Sequence, residues 1–209
     1  MSEESAVSGN NTLSEEGALR ADIYLLLAAL LRQAPNVELL NWLAELDVEQ
    51  DGTRLADAWQ RLADAAATAT PEALERAHFN HLVGVIQGDI TPYASWYRQG
   101  ELMDAALVAI RQDLRVLGFE RSEHTRDPED HLAALCEVMA MLMDADEPTQ
   151  ATFFVRHVAP WAKDCWGDLA RVDTAFYAAL GEVGSTFMES EQARLVALAS
   201  EAPVRFVEP

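Results

Sequence analysis

Lysine is all but missing from this chain. Lys163 is the single example, and 15 lysines and arginines face 35 aspartates and glutamates, a formal net charge of −20. So acidic a surface repels phosphate backbones and anionic headgroups and attracts cationic partners over a Debye length. Nucleic acid is thereby a poor partner, and a basic peptide a better one. Cysteine is also scarce. Cys136 and Cys165 lie in apolar, helix-like stretches with no CxxC pair, which excludes a disulfide framework and predicts two buried, reduced thiols. No apolar run is long enough for a membrane. The longest, Ile23 to Leu31, is about half of the ~20 residues that a bilayer span needs. The opening MSEESAVSGNNTLSEEG lacks the cationic start and apolar core of a signal peptide, so a cytoplasmic protein with no stable membrane insertion is expected. A GxxxxGK[ST] phosphate loop and a GxSxG elbow are both missing, which leaves nucleotide chemistry and serine hydrolysis without a signature.

What the chain does have is helical periodicity. Its 209 residues, half of them apolar, suit one domain with a sizeable core. Leu19, Ile23, Leu26, Leu27, Leu30 and Leu31 recur at three- and four-residue steps, after a Thr12 to Glu15 segment with capping-box spacing. Further helices are predicted over 36–46, along Leu55, Trp59, Leu62 and Ala66, and from Thr70-Pro71 to about Gly84. Met103, Leu107, Ile110, Leu114 and Leu117 form another stripe, closed by Gly118 at C′. Helices after Glu147-Pro148 and along Phe176, Leu180, Val183 and Phe187 complete the set, the last running to about Ala199. Trp42, Trp59 and Trp166 read as core. No β-alternation and no repeat occurs, so the expected architecture is an all-α, single-domain bundle of about eight to ten helices. It occupies 12–199, with an N-terminal tail over 1–11 and a C-terminal tail over 200–209. Between helices, residues 84–101 read as a long loop that carries Tyr93, Trp96 and Tyr97, and an aromatic-rich loop of that length is packed across a core or functional.

The segment Asp127-Pro-Glu-Asp-His131 has two readings. As a helix start, Asp127 is the N-cap, Pro128 takes the first helical position, and Glu129 and Asp130 favour the dipole in the first turn. Leu132, Leu135, Val138, Met139 and Leu142 then supply the buried stripe. As a site, the carboxylates and His131 offer acceptors to a cationic ligand, with the charge state of His131 contested between the helix end and its acidic neighbours.

This segment resembles the E-P-x-D-H signature of the TorD/DmsD/NarJ family of redox-enzyme maturation chaperones, with Asp127 in place of the usual Glu. Other segments follow in the family's order. HFNHLVG (78–84) is similar to its aromatic-x-x-L-F-x-G segment, with Val83 where Phe is usual, and TPYASWY (91–97) to its Pro-aromatic loop. VAPWA (158–162) is similar to its Pro-Trp helix end, FYAAL (176–180) to its late F-Y-x-A-L, and the first helix starts similarly at Tyr24. The resemblance spans roughly residues 18 to 188. It implies an all-helical, cytoplasmic, non-enzymatic chaperone without a cofactor of its own. Its partner would be the precursor of a molybdopterin oxidoreductase, bound through the twin-arginine signal peptide or another part until the cofactor is inserted. The resemblance places Asp130 and His131 in signal-peptide binding, and Pro92, Tyr93 and Trp96 in the loop that helps form the groove. Residue chemistry adds Asp127 and Glu129 as carboxylates for guanidinium and Tyr97 as a stacking surface.

Two alternatives belong to other classes. A metal-dependent enzyme would use a cluster of His78, His81 and His131, joined by His124, Asp130 or His157, although His-x-x-His lacks the Glu of HExxH. His78 reads as exposed and His81 as a helix–loop contact. A structural adaptor without a groove would bury Tyr93 and Trp96 completely. The loop at 84–101 and the polar stretch at 118–126 are also candidate hinges for exchange into a homodimer.

Overall fold

The computed structural model describes residues 14–85, 87–120 and 127–199. Both expected tails, Thr12 and His124 lie outside these. Among the described residues there are ten α-helices and no strand. Helix α1 (Glu15–Arg32) starts at Ser14, whose hydroxyl accepts from Gly17 N at 3.0 Å. Helices α2 (Val37–Ala44), α3 (Arg54–Thr68) and α4 (Pro71–His78) follow, capped by Asn36, Thr53 and Thr70. Each cap accepts from the backbone N–H three residues on, satisfying a donor with no partner inside the helix. A π-helical turn over Phe79–Val83 extends α4 to Gly84, whose N–H donates to Phe79 O.

Helix α6 (Ala105–Val116) ends at Gly118, which takes φ 75° as the expected C′ residue. Then come α7 (Leu132–Met141), α8 (Glu147–Phe153) with a π-helical turn over Phe154–Val158, α9 (Ala162–Leu169) and α10 (Ala175–Leu195). Short α5 (Ala94–Gln99) lies inside the stretch expected to be loop.

Helix α1 packs along α7, α10 packs on both α3 and α9, and α2 covers α3. Apolar residues on nearly every side of α7 are buried, from Leu132 to Ala140. The expected stripes of α7 and α10 both face inward. At the α9–α10 contact two glycines let the backbones meet. A Cβ at Gly181 would fall 2.3 Å from Ala170 N, and one at Gly184 2.2 Å from the Trp166 ring. The buried carboxylate of Glu191 accepts from Tyr24 Oη at 3.1 Å and pairs with Arg20 and Arg194, tying α1 to α10.

Several expectations change. Leu19 is exposed and Tyr24 turns inward instead, because α1 packs along α7 and the Tyr24 side chain reaches Glu191 and Phe187 of α10. Trp42 is 53% exposed, since α2 is a short helix that meets only α3 broadly. Met103 is not in α6. It sits before the N-cap Asp104 with φ 62° and its side chain is exposed. Cys136 and Cys165 are both free and buried.

Candidate functional site

The helix-start reading of 127–131 is corrected by the structure. Asp127 to Asp130 form a turn before the helix, and α7 begins only at Leu132. The reason is a tertiary one. Ala94 N donates to Asp130 O at 2.9 Å and Leu132 N to Pro92 O at 2.8 Å, with a bridge between Tyr93 and His131. That pairing holds His131 extended (φ −66°, ψ 137°), so the helix cannot start earlier. His131 is therefore the N-cap, its Nδ1 accepting from Ala133 N at 3.0 Å. An accepting Nδ1 is unprotonated, and burial brings the imidazole pKa from 6.5 down to about 4, against the pull of Asp127. His131 is neutral at pH 7.

Asp130 has an equally local task on a distant element. Its Oδ2 accepts from Ser95 N at 3.0 Å and Ser95 Oγ at 2.5 Å, capping α5 from across the chain. Its Oδ1 is buried without a partner. Both residues that the resemblance places in signal binding are thus buried, Asp130 at 1% exposure and His131 at 6%. Neither presents a polar face of any size to solvent.

Around them lie the remaining expected residues. Tyr93 is half-buried, its ring edge-on to His131 at 4.8 Å, and its hydroxyl bonds Asp127. Burial and the Asp127 charge push that phenol up to about 12. Trp96 is 38% exposed. Tyr97 donates to Asp168 Oδ2 at 2.7 Å and lies 5.6 Å from the Trp161 ring. Pro92 is buried beneath. The adaptor alternative requires Tyr93 and Trp96 to be fully buried, and neither is.

Asp127 and Glu129 open onto a cleft of about 640 Å³ between the ends of α1, α6 and α7. Its apolar wall is Leu114, Phe119, Ala134, Val138 and Met141. Its charged rim holds five residues that the sequence reading missed, Arg32, Arg111, Arg115, Glu120 and Glu137. Arg32, the last residue of α1, bonds Glu137 with Nε at 2.7 Å and Nη2 at 2.8 Å, and Asp127 with Nη1 at 3.1 Å. Arg111 pairs with Glu129 at 2.8 Å. One signal for Glu137 was available: it is the only charged residue in α7.

The three histidines of the metal alternative have separate duties. His78, expected to be exposed, is buried with Nε2 3.1 Å from Leu31 O, because α4 packs this face inward. His81 lies between Asp89 at 2.7 Å and Thr174 at 2.8 Å. His131 caps α7. Among the described residues no group of three or more His, Cys, Asp or Glu side chains is arranged to hold a metal ion, nor is any helix long and apolar enough to cross a membrane.

Residues 49–166, more than half of the chain, match the nitrate reductase delta subunit family. That range includes both halves of the site. The chain is also similar in structure to a protein of Archaeoglobus fulgidus assigned to redox enzyme maturation. The likeness covers 85% of this chain and 98% of that one, with a TM-score of 0.56 and 15% sequence identity. At that identity the likeness concerns the fold. No curated protein matches by sequence.

Proposed function

The chain belongs to the nitrate reductase delta subunit family, a family of redox-enzyme maturation chaperones and not of catalysts, and on that premise we propose that it binds the twin-arginine signal segment of a molybdopterin oxidoreductase precursor. Binding would hold the precursor back from export while its cofactor is inserted, and the chaperone itself would need no cofactor. Such a segment has paired arginines followed by an apolar, helix-prone stretch. Its receptor needs carboxylates for the guanidinium forks and an apolar groove beside them.

One juxtaposition carries the reading. The Pro92–Tyr97 segment and the 127–131 turn are joined backbone to backbone, and beside that joint a cleft sets Asp127, Glu129 and Glu137 against an apolar wall. In this reading Asp130 and His131 are positioning residues, which fix the joint from inside. Asp127 and Glu129, paired with Arg32 and Arg111, are the carboxylates a ligand would compete for, and Tyr93, Trp96 and Tyr97, outside the lining of the cleft, are its candidate stacking surfaces.

Calorimetric titration with twin-arginine signal peptides, each paired with a Lys-Lys version and repeated at higher salt, tests the proposal. Saturable binding by one peptide, weaker for Lys-Lys and weaker again for Asp127→Asn or Trp96→Ala, is the expected result. Failure of every peptide would overturn signal binding.

A further inference from the structure

The carboxylates best placed to take a guanidinium already hold one. Arg32 presents the full fork, two parallel bonds to Glu137 at 2.7 and 2.8 Å and a third to Asp127 at 3.1 Å. This is the bidentate arrangement that arginine makes and lysine cannot. It sits at the rim of the cleft, with the three side chains 22%, 43% and 39% exposed for Arg32, Asp127 and Glu137. All three are open enough for exchange with a solute. The two acids come from different places, the turn before α7 and the second turn of the helix itself, so their convergence on one point is a property of the fold.

From this occupancy we propose that Asp127 and Glu137 form a guanidinium subsite of the cleft, and that Arg32 is its resident, displaced when an arginine of the client enters. The inference rests on the signal-binding reading above and names the specificity device of that site. Glu137, absent from the motif, is its principal acceptor. Arg32 sets a threshold: an incoming lysine ammonium, a point charge without a fork, does not replace the bonds that Arg32 gives up. An incoming guanidinium does, and the apolar residues that follow it lie along Val138 and Met141 on the cleft wall. Chain-end anchoring helps the exchange. Arg32 is the final residue of α1 and is followed by an extended Gln33, so its side chain can swing outward without breaking a helix turn.

A structural tie between α1 and α7 would use the same bonds, and the two roles differ in the sign of an affinity change. Titrate wild type, Arg32→Gln and Glu137→Gln with a twin-arginine peptide and its Lys-Lys version, with far-ultraviolet dichroism to check that each protein is folded. Loss of the internal competitor is expected to tighten arginine-peptide binding by about tenfold, equivalent to about 1.4 kcal/mol. Lys-Lys binding should tighten as well, by no more than the same factor, because an ammonium no longer has to displace Arg32, and Glu137→Gln should weaken the arginine peptide and narrow the preference over Lys-Lys. Should Arg32→Gln prove unfolded, Arg32→Lys, which keeps the charge but not the fork, is expected to give a smaller gain in the same direction. Unchanged or weaker arginine-peptide binding by a folded Arg32 variant, with wild-type binding intact, overturns the subsite and leaves the signal-binding reading standing. If no peptide binds any of the proteins, both fall.

Discussion

Asp130 holds two bonds from Ser95 with one carboxylate oxygen, deep under the site. Asp130→Ala strands a buried N–H and a buried hydroxyl, which costs about 1–3 kcal/mol. Urea unfolding should show that loss, and Asp130→Asn, which keeps one acceptor, should recover part of it. Weaker peptide binding by Asp130→Ala would therefore report a loosened α5, and contact with the peptide is better probed at Asp127 or Trp96. His131 predicts a pH effect. Its pKa falls from 6.5 to about 4 on folding, so between those values the unfolded chain binds more protons. The stabilisation is complete above about pH 6.5 and is lost as pH falls toward 4, at most on the order of 3 kcal/mol. His78 and His157 are lowered by burial in the same direction. The difference between wild type and His131→Asn, which keeps an N-cap acceptor but does not titrate, isolates the His131 share. Equal acid slopes for the two proteins would refute it. Cys136 and Cys165, whose thiols burial pushes upward, should resist a thiol reagent at neutral pH until the protein unfolds.

At the scale of elements, α9 and α10 are the sensitive pair. Replacing a helical glycine by alanine normally stabilises by about 0.5–1 kcal/mol. At Gly181 the sign reverses, because the new methyl would meet the Ala170 backbone, which no side-chain rotation can clear. Thermal unfolding of Gly181→Ala should show a loss of about 1–3 kcal/mol or more. Gly184→Ala should behave similarly against the buried Trp166. A stabilised variant at either position would contradict the packing described. Much at this scale was legible beforehand. Thr70 with Pro71, the Gly118 stop and the stripes of α7 and α10 were all read correctly, since each depends on residues within one or two turns. Helix α5 was not, because its N-terminal cap is Asp130, 35 residues away in sequence.

Over the whole molecule the charge of −20 acts before contact. It raises the encounter rate with a basic segment and is screened by salt. Stopped-flow mixing with an arginine signal peptide should show an association rate falling about tenfold or more between low and high salt, with dissociation changing far less. A salt-independent association rate would remove the steering role. The internal pairs Arg32–Glu137 and Arg111–Glu129 lie within this acidic field and partly neutralise the cleft. On the proposed reading the field would draw the peptide in, and selection at the cleft would fall to geometry.

The sequence by itself determined the helical class, the placement of most helix ends, the two buried thiols and the acidic surface, because periodicity, capping and charge are local or additive. It also brought the aromatic loop and the 127–131 segment to notice. Only the tertiary structure decided what those residues do. The pairing of residues 92–94 with 130–132 moved the start of α7, made His131 its cap and sent Asp130 to α5. Arg32 reaches Asp127 and Glu137 across 95 and 105 residues of chain. A bond at that separation is set by how α1 packs on α7, and no short window of sequence contains both of its ends.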